Sequence, residues 1–153
     1  MRTTALLPWY SVKLRALEIG VRAGLFLTTC LWLGFAQADP RADYLLHCGG
    51  CHLPDGAGAP PSVPTLQNEI GRLVGIPAGR DYIARVPGAS QVPISDTQLA
   101  AVLNWVLFTF NAQSLPAGFS PLTAEEVGRS RRNVLADPEK HRRQIWPELQ
   151  TYR

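Results

Sequence analysis

Between His47 and His52 the chain reads HCGGCH, two thiols and two imidazoles within six residues. No other stretch is so rich in groups that hold metals, exchange electrons or form covalent links, so the fold must be built around whatever this segment holds. The chain has 153 residues, enough for one domain with a real core but not for two full ones. The third cysteine, Cys30, lies in sequence of a different kind.

Residues 1–38 read as a leader. Arg2, Lys13, Arg15 and Arg22 precede the uncharged run AGLFLTTCLWLGFA (23–36), which ends in Ala36-Gln37-Ala38 just before Asp39. A basic arm, an apolar core and a small-x-small cleavage site make a secretory signal peptide, cut after Ala38. The apolar run is short of the roughly 20 residues that cross a bilayer. The long basic arm keeps an uncleaved anchor as the alternative, and only in that case would the protein meet a membrane. A lipoprotein cysteine at Cys30 is disfavoured by Thr29 before it and LWLGF after it. The expected location is the periplasm.

The leader also accounts for the charge. The chain has 15 basic and 12 acidic side chains; four and one of these fall in the leader, leaving 11 of each in residues 39–153. The sequence pI near 9.0 is therefore no argument for nucleic acid as a partner. Residues 39–115 hold four basic and six acidic side chains, residues 116–153 seven and five. A mildly acidic domain carries a mildly basic extension.

Three chemistries compete for Cys48 and Cys51 in an oxidising compartment. A redox dithiol would open a helix after a strand, and DPRADYLLHCGGCH shows no strand. A structural zinc site needs further ligands, and beyond this stretch residues 39–153 offer only His141 among histidines. C-x-x-C-H is the attachment signature of c-type haem. Its spacing follows from the chemistry: two thiols add to two vinyl groups on one porphyrin edge, and the next imidazole reaches the iron from one face.

The surroundings of that motif resemble the class I c-type cytochromes over residues 39 to about 111. Tyr44 stands four residues before Cys48, CHLPDGAG (51–58) is similar to the family's CHGPDGxG continuation, and Pro64 follows His52 by 12 residues. The resemblance implies one haem c bound through Cys48 and Cys51, with His52 as proximal iron ligand. It also implies that the Pro64 carbonyl accepts a hydrogen bond from the imidazole and fixes its tautomer. Pro60 and Pro61 are rivals for that last role.

The second half is helical. Ser95 and Gln98 form a capping box before an apolar stripe of Leu99, Val102, Leu103, Val106, Leu107 and Phe110 at helical spacing. In the resembled family this helix crosses the N-terminal one, here with Tyr44 against Trp105. RDYIARV (80–86) predicts a short helix closed by Pro87 and Gly88. No alternating strand pair occurs in 39–115, so the fold class is all-α: a cytochrome c-like domain of three or four helices (39–115) and a short helical C-terminal tail (116–153). The tail reads as two helices, about 124–135 and 138–145, carrying Arg129, Arg131, Arg132, Lys140, Arg142 and Arg143. It is either a solvated arm folded along the domain or a docking element for an acidic partner.

One departure from the family stands out. Its usual distal methionine belongs in the loop before the last helix, here VPGASQVPIS (86–95), and residues 39–153 contain no methionine. His141 is a candidate sixth ligand; His47, Lys140 and the Asp39 amine are weaker ones. An open position, or one filled by water or an oxygen of Ser90 or Gln91, is the other option. The resemblance implies a monohaem electron carrier, not an enzyme, passing single electrons between a dehydrogenase and a respiratory acceptor such as an oxidase or another cytochrome. The alternatives are an open haem that binds CO, NO or peroxide, and a haem subunit of a larger dehydrogenase complex.

Overall fold

The computed structural model describes residues 39–151; the leader expected over 1–38 lies outside them. Eight helices and no strand occur among the described residues: α1 (Pro40–His47), α2 (Gly49–His52), α3 (Ile70–Leu73), α4 (Pro77–Arg85), α5 (Pro87–Ser90), α6 (Asp96–Phe110), α7 (Ala124–Arg131) and α8 (Pro138–Thr151). None is long and apolar enough to cross a membrane. The all-α class expected from the sequence is the one observed. Within 39–115 the three longer helices are α1, α4 and α6, and the others are single turns.

Local sequence explains the helix ends. The Asp39 carboxylate accepts from the Arg41 amide at 3.0 Å, and Pro40 supplies a preset φ at the first position of α1. At α6 the Ser95 hydroxyl accepts from the Gln98 amide, and the Gln98 side chain accepts from the Ser95 amide at 3.1 Å. Helix α4 starts three residues earlier than expected, because Pro77 opens it. Pro87 likewise does more than end α4, since it begins the single turn α5.

Helix α6 is the central beam. Its Leu99, Val102, Leu103, Val106 and Leu107 are buried, and its aromatic end meets α1. The Tyr44 ring lies 5.1 Å from that of Trp105 and 5.5 Å from that of Phe110, and Trp105 and Phe110 stand edge to face at 5.2 Å. Helices α3 and α4 touch so closely that a Cβ on Gly79 would overlap the Leu73 carbonyl, so glycine is required there. At the foot of α6 the buried Asn111 amide accepts from the Gly71 amide at 3.0 Å and donates to the carbonyls of Leu66 at 2.8 Å and Val106 at 3.2 Å.

The C-terminal extension folds along the domain as expected, but as part of its core and not as a solvated arm. The described residues belong to one compact unit, and Leu122, Val127, Leu135 and Ile145 are buried in the same core as the side chains of α1, α4 and α6. Each such side chain contributes about 1.5–3 kcal/mol when fully buried. The Asn104 side chain brackets Leu122, accepting from its amide at 2.8 Å and donating to its carbonyl at 2.9 Å. Arg142 pairs with Glu69, and Arg85 donates to the Asn133 carbonyl at 2.7 Å while the Leu135 amide donates back to the Arg85 carbonyl at 3.0 Å. Helix α7 stops at Arg131, short of the expected 135, because the chain turns there to reach Arg85. Helix α8 runs on to Thr151, past the expected 145.

One tail contact is sensitive to pH. Arg80 forks onto Glu126 at 2.7 and 2.8 Å and also donates to the Ser120 carbonyl at 2.9 Å. The hydrogen bond from Arg80 holds the Glu126 carboxyl below its ordinary 4.5, against the opposing pull of burial. The unfolded chain therefore takes up this proton at a higher pH than the folded one. The stabilisation is complete above the ordinary Glu value and is lost as pH falls through the depressed one. Glu126→Gln is expected to lower stability at pH 7 by roughly 1.5–3 kcal/mol, the worth of hydrogen bonds to a charged group. In urea unfolding at a series of pH values, the difference from the wild type should be full above the ordinary Glu value and shrink as pH falls through the depressed one.

Candidate haem-attachment site

The anchor is the join of α1 and α2. The Cys48 amide closes α1 by donating to the Tyr44 carbonyl at 2.8 Å, and the His52 amide donates to the Cys48 carbonyl at 2.9 Å. Tyr44 is fully buried, and its hydroxyl donates to the Leu53 carbonyl at 2.6 Å. The aromatic crossing of α1 and α6 is thereby tied to the residue after His52. Burial, helped by the nearby Cys48 and Asp55, pushes the phenol up to about 12, so it stays a donor throughout the physiological range.

Cys48 is half-buried and Cys51 exposed, and no disulfide joins them. Burial raises the Cys48 thiol, and the nearby Asp43 and Cys51 raise it further. A redox dithiol needs its reactive thiol lowered, so the electrostatics argue against that chemistry. Among the described residues no three His, Cys, Asp or Glu side chains gather to hold a metal ion.

His52 is set for one task. Its Nδ1 lies 3.1 Å from the Pro64 carbonyl. A carbonyl only accepts, so Nδ1 carries the proton and Nε2 keeps its lone pair. Burial lowers the imidazole value, opposed by the Pro64 bond, and the net lowering keeps the ring neutral at pH 7. Of Pro60, Pro61 and Pro64, Pro64 is the one whose carbonyl meets the ring. Its seat depends on Gly58, at φ +69°, where a Cβ would come within 2.7 Å of the carbonyl oxygens of Val63 and Pro64. The Gly58 amide donates to the His52 carbonyl at 2.9 Å, and the Ala59–Val63 bridge closes the fold-back.

The donor set, two unpaired thiols three positions apart and an imidazole with only Nε2 free, fits covalent attachment of a porphyrin with axial ligation from one side. Two curated relatives resemble the chain along most of their length. A cytochrome c-552 of Thermus thermophilus is 31% identical over 121 residues, 67% of this chain and 81% of the relative. The chain belongs to the c-type cytochromes. A second cytochrome c-552 of the same species is 30% identical over 117 residues, 65% of this chain and 88% of the relative. No family model matches the sequence. As a c-type cytochrome the protein is an electron carrier with redox protein partners, and it holds one haem c through Cys48 and Cys51.

The remaining sequence candidates fall elsewhere in this cytochrome. His47 is the last residue of α1, half-buried beside Cys48. His141, a candidate sixth ligand, is stacked on Tyr82 with ring centroids 6.0 Å apart and planes 9° apart, in the packing of α8 against α4. The Ser90 hydroxyl is buried and aimed at the Pro87 carbonyl at 3.4 Å. The residue that sequence reading passes over is Arg131. It looks like its neighbours in RSRR, but its side chain is only 13% exposed. It donates to the carbonyls of Ser90, Val92 and Ile94 at 3.1, 2.6 and 2.8 Å and to the Asp96 carboxylate at 3.2 Å.

Proposed function

We propose that this cytochrome is a periplasmic monohaem carrier that passes single electrons between a dehydrogenase and a respiratory acceptor, with an iron whose sixth position is open or weakly held. The observation that carries this reading is the His52–Pro64 pair, which orients one imidazole nitrogen for iron and fixes its proton on the other. Bound haem supplies a one-electron iron couple. His52 would hold the iron through Nε2, Cys48 and Cys51 would bind the porphyrin edge, and Pro64 and Tyr44 would keep that frame from shifting as the charge changes. An electron carrier needs such stiffness, because little should move when one electron arrives.

The anchor also lies at the surface. Cys51 and Leu53 are exposed, and Leu46 on the preceding turn is 76% exposed. No Lys or Arg occurs between Arg41 and Arg72, so contact with a partner at this edge would rest on apolar area more than on charge steering. The tail supports a subunit role less well. Its Leu122, Val127, Leu135 and Ile145 are used inside the fold, and its exposed Arg129 and Arg143 already pair with Glu125 and Glu139.

The second reading, a haem that takes a small ligand, is favoured by one fact: residues 39–153 contain no methionine. The loop 86–95, proposed to face His52 across the haem, offers no histidine, lysine or carboxylate. Peroxide chemistry would want such an acid or base, so carriage of electrons is preferred. A potentiometric titration followed by absorbance, with and without CO, tests both. The expected result is one reversible one-electron wave together with a reduced form that binds CO. Absence of the wave would overturn the carrier, and low-spin bands indifferent to CO would overturn the open sixth position.

A further inference from the structure

We infer that Arg131 is a positioning residue for the haem iron: from the C-terminal tail it holds the loop 86–95 in place and so governs access to the sixth coordination position. The inference rests on the proposal that this loop faces His52, and it goes further by naming the device that sets the loop. Three alternate carbonyls, those of Ser90, Val92 and Ile94, converge on one guanidinium, which also reaches the first residue of α6 at Asp96. The loop's other backbone hydrogen bonds are local, beginning with those of α5, where the Ala89 and Ser90 amides donate to the Val86 carbonyl at 2.9 Å. The Gln91 amide donates to the Pro87 carbonyl and the Ile94 amide to the Val92 carbonyl, both bonds local to the loop itself. Beyond the turn of α5 and the packing of Val92 and Ile94 on the core, residues 91–94 need a backbone tie to the rest of the fold. The planar fork of Arg131 supplies it, because five fixed donors match three carbonyls and a carboxylate where a lysine ammonium would not.

The guanidinium is itself held from behind. Helix α7 is pinned by Arg80 on Glu126 and by Val127 in the core, and Gly128 lies against Asp96 so closely that a Cβ would overlap its carboxylate. The clamp therefore connects a helix pinned in the core to a loop whose other backbone bonds are local. Its charge is matched by Asp96 and by carbonyl dipoles, so the side chain sits in the partly buried interface without an unpaired donor cost.

Arg131→Lys keeps the charge and loses the fork, whereas Arg131→Gln loses both. Measured on the haem-loaded protein at a temperature where every variant is folded, both should bind CO faster than the wild type. The expected increase is about tenfold, the change in open population when one hydrogen bond to a charged group is lost. Asp96→Asn, a milder change at the far end of the clamp, should move the rate the same way by less, and it carries the test if the Arg131 variants do not fold. CO rates equal to the wild type in all folded variants would overturn the inference, as would a reduction potential that moves in Arg131→Gln alone with no change in CO binding, since that is charge acting at a distance. A wild type inert to CO whose variants bind it would overturn the open sixth position and still support the clamp.

Discussion

Replacing Asn111 by Ala is expected to lower the unfolding free energy by roughly 1.5–4.5 kcal/mol, since a buried amide loses its partner at about 1–3 kcal/mol and a partly buried carbonyl at about 0.5–1.5 kcal/mol. Those groups are the Gly71 amide, whose hydrogen bond to the Asn111 side-chain oxygen spans 40 residues, and the Leu66 carbonyl, which accepts from its side-chain nitrogen across 45. Asn111 and Gly71 are both buried, so water cannot take over the bond between them. A domain of this size has a total stability of about 5–15 kcal/mol, so the loss is a large fraction of the whole. Urea unfolding followed by circular dichroism measures it. Asn111→Asp should fail as well, because an ionised carboxylate can still accept from Gly71 but cannot donate to Leu66, and it buries a charge. A change below about 1 kcal/mol in the alanine variant would mean that the interior of α3, α6 and the 53–69 loop can rearrange freely, contrary to ordinary core behaviour.

The double substitution Cys48→Ala with Cys51→Ala is expected to abolish covalent haem completely. Each single substitution should leave one thioether and a haem that remains with the protein under denaturing conditions. The difference follows from the geometry of α1 and α2, which present the two thiols one helical turn apart, Cys48 half-buried and Cys51 exposed. His52 and its Pro64 hydrogen bond are untouched by these changes. Any residual haem in the double variant should therefore be held by axial ligation alone and leave with acid and acetone. Haem staining of denaturing gels distinguishes the two cases. Staining of the double variant equal to the wild type would show that these cysteines are not the attachment points.

How much of this is legible in the sequence depends on the range of the interactions involved. Helix α6 and its capping box are, because Ser95 and Gln98 act within one turn and the apolar stripe repeats every three or four residues. Tyr44 against Trp105 and the approach of Pro64 to His52 follow from the family resemblance. The packing of the tail is not legible, because its four buried apolar residues are spaced through charged sequence and find their partners on α4 and α6, far back along the chain. Arg131 is hidden for a stricter reason. Its partners are backbone carbonyls, which no sequence displays, 37 to 41 residues away in a loop with no marked composition. Asn111 reads as an ordinary residue just beyond a helix, and only its contact with Gly71 shows it to be a structural centre.

The central claim is that residues 48–52 bind one haem covalently, with His52 on the iron. Acid–acetone extraction of the purified protein, followed by absorbance and intact mass of the precipitate, tests it most directly. The expected result is protein that keeps its Soret band and carries the added mass of one haem, with that mass absent when Cys48 and Cys51 are both alanine. Colour passing wholly into the acetone, with the polypeptide at its unmodified mass, would contradict the account.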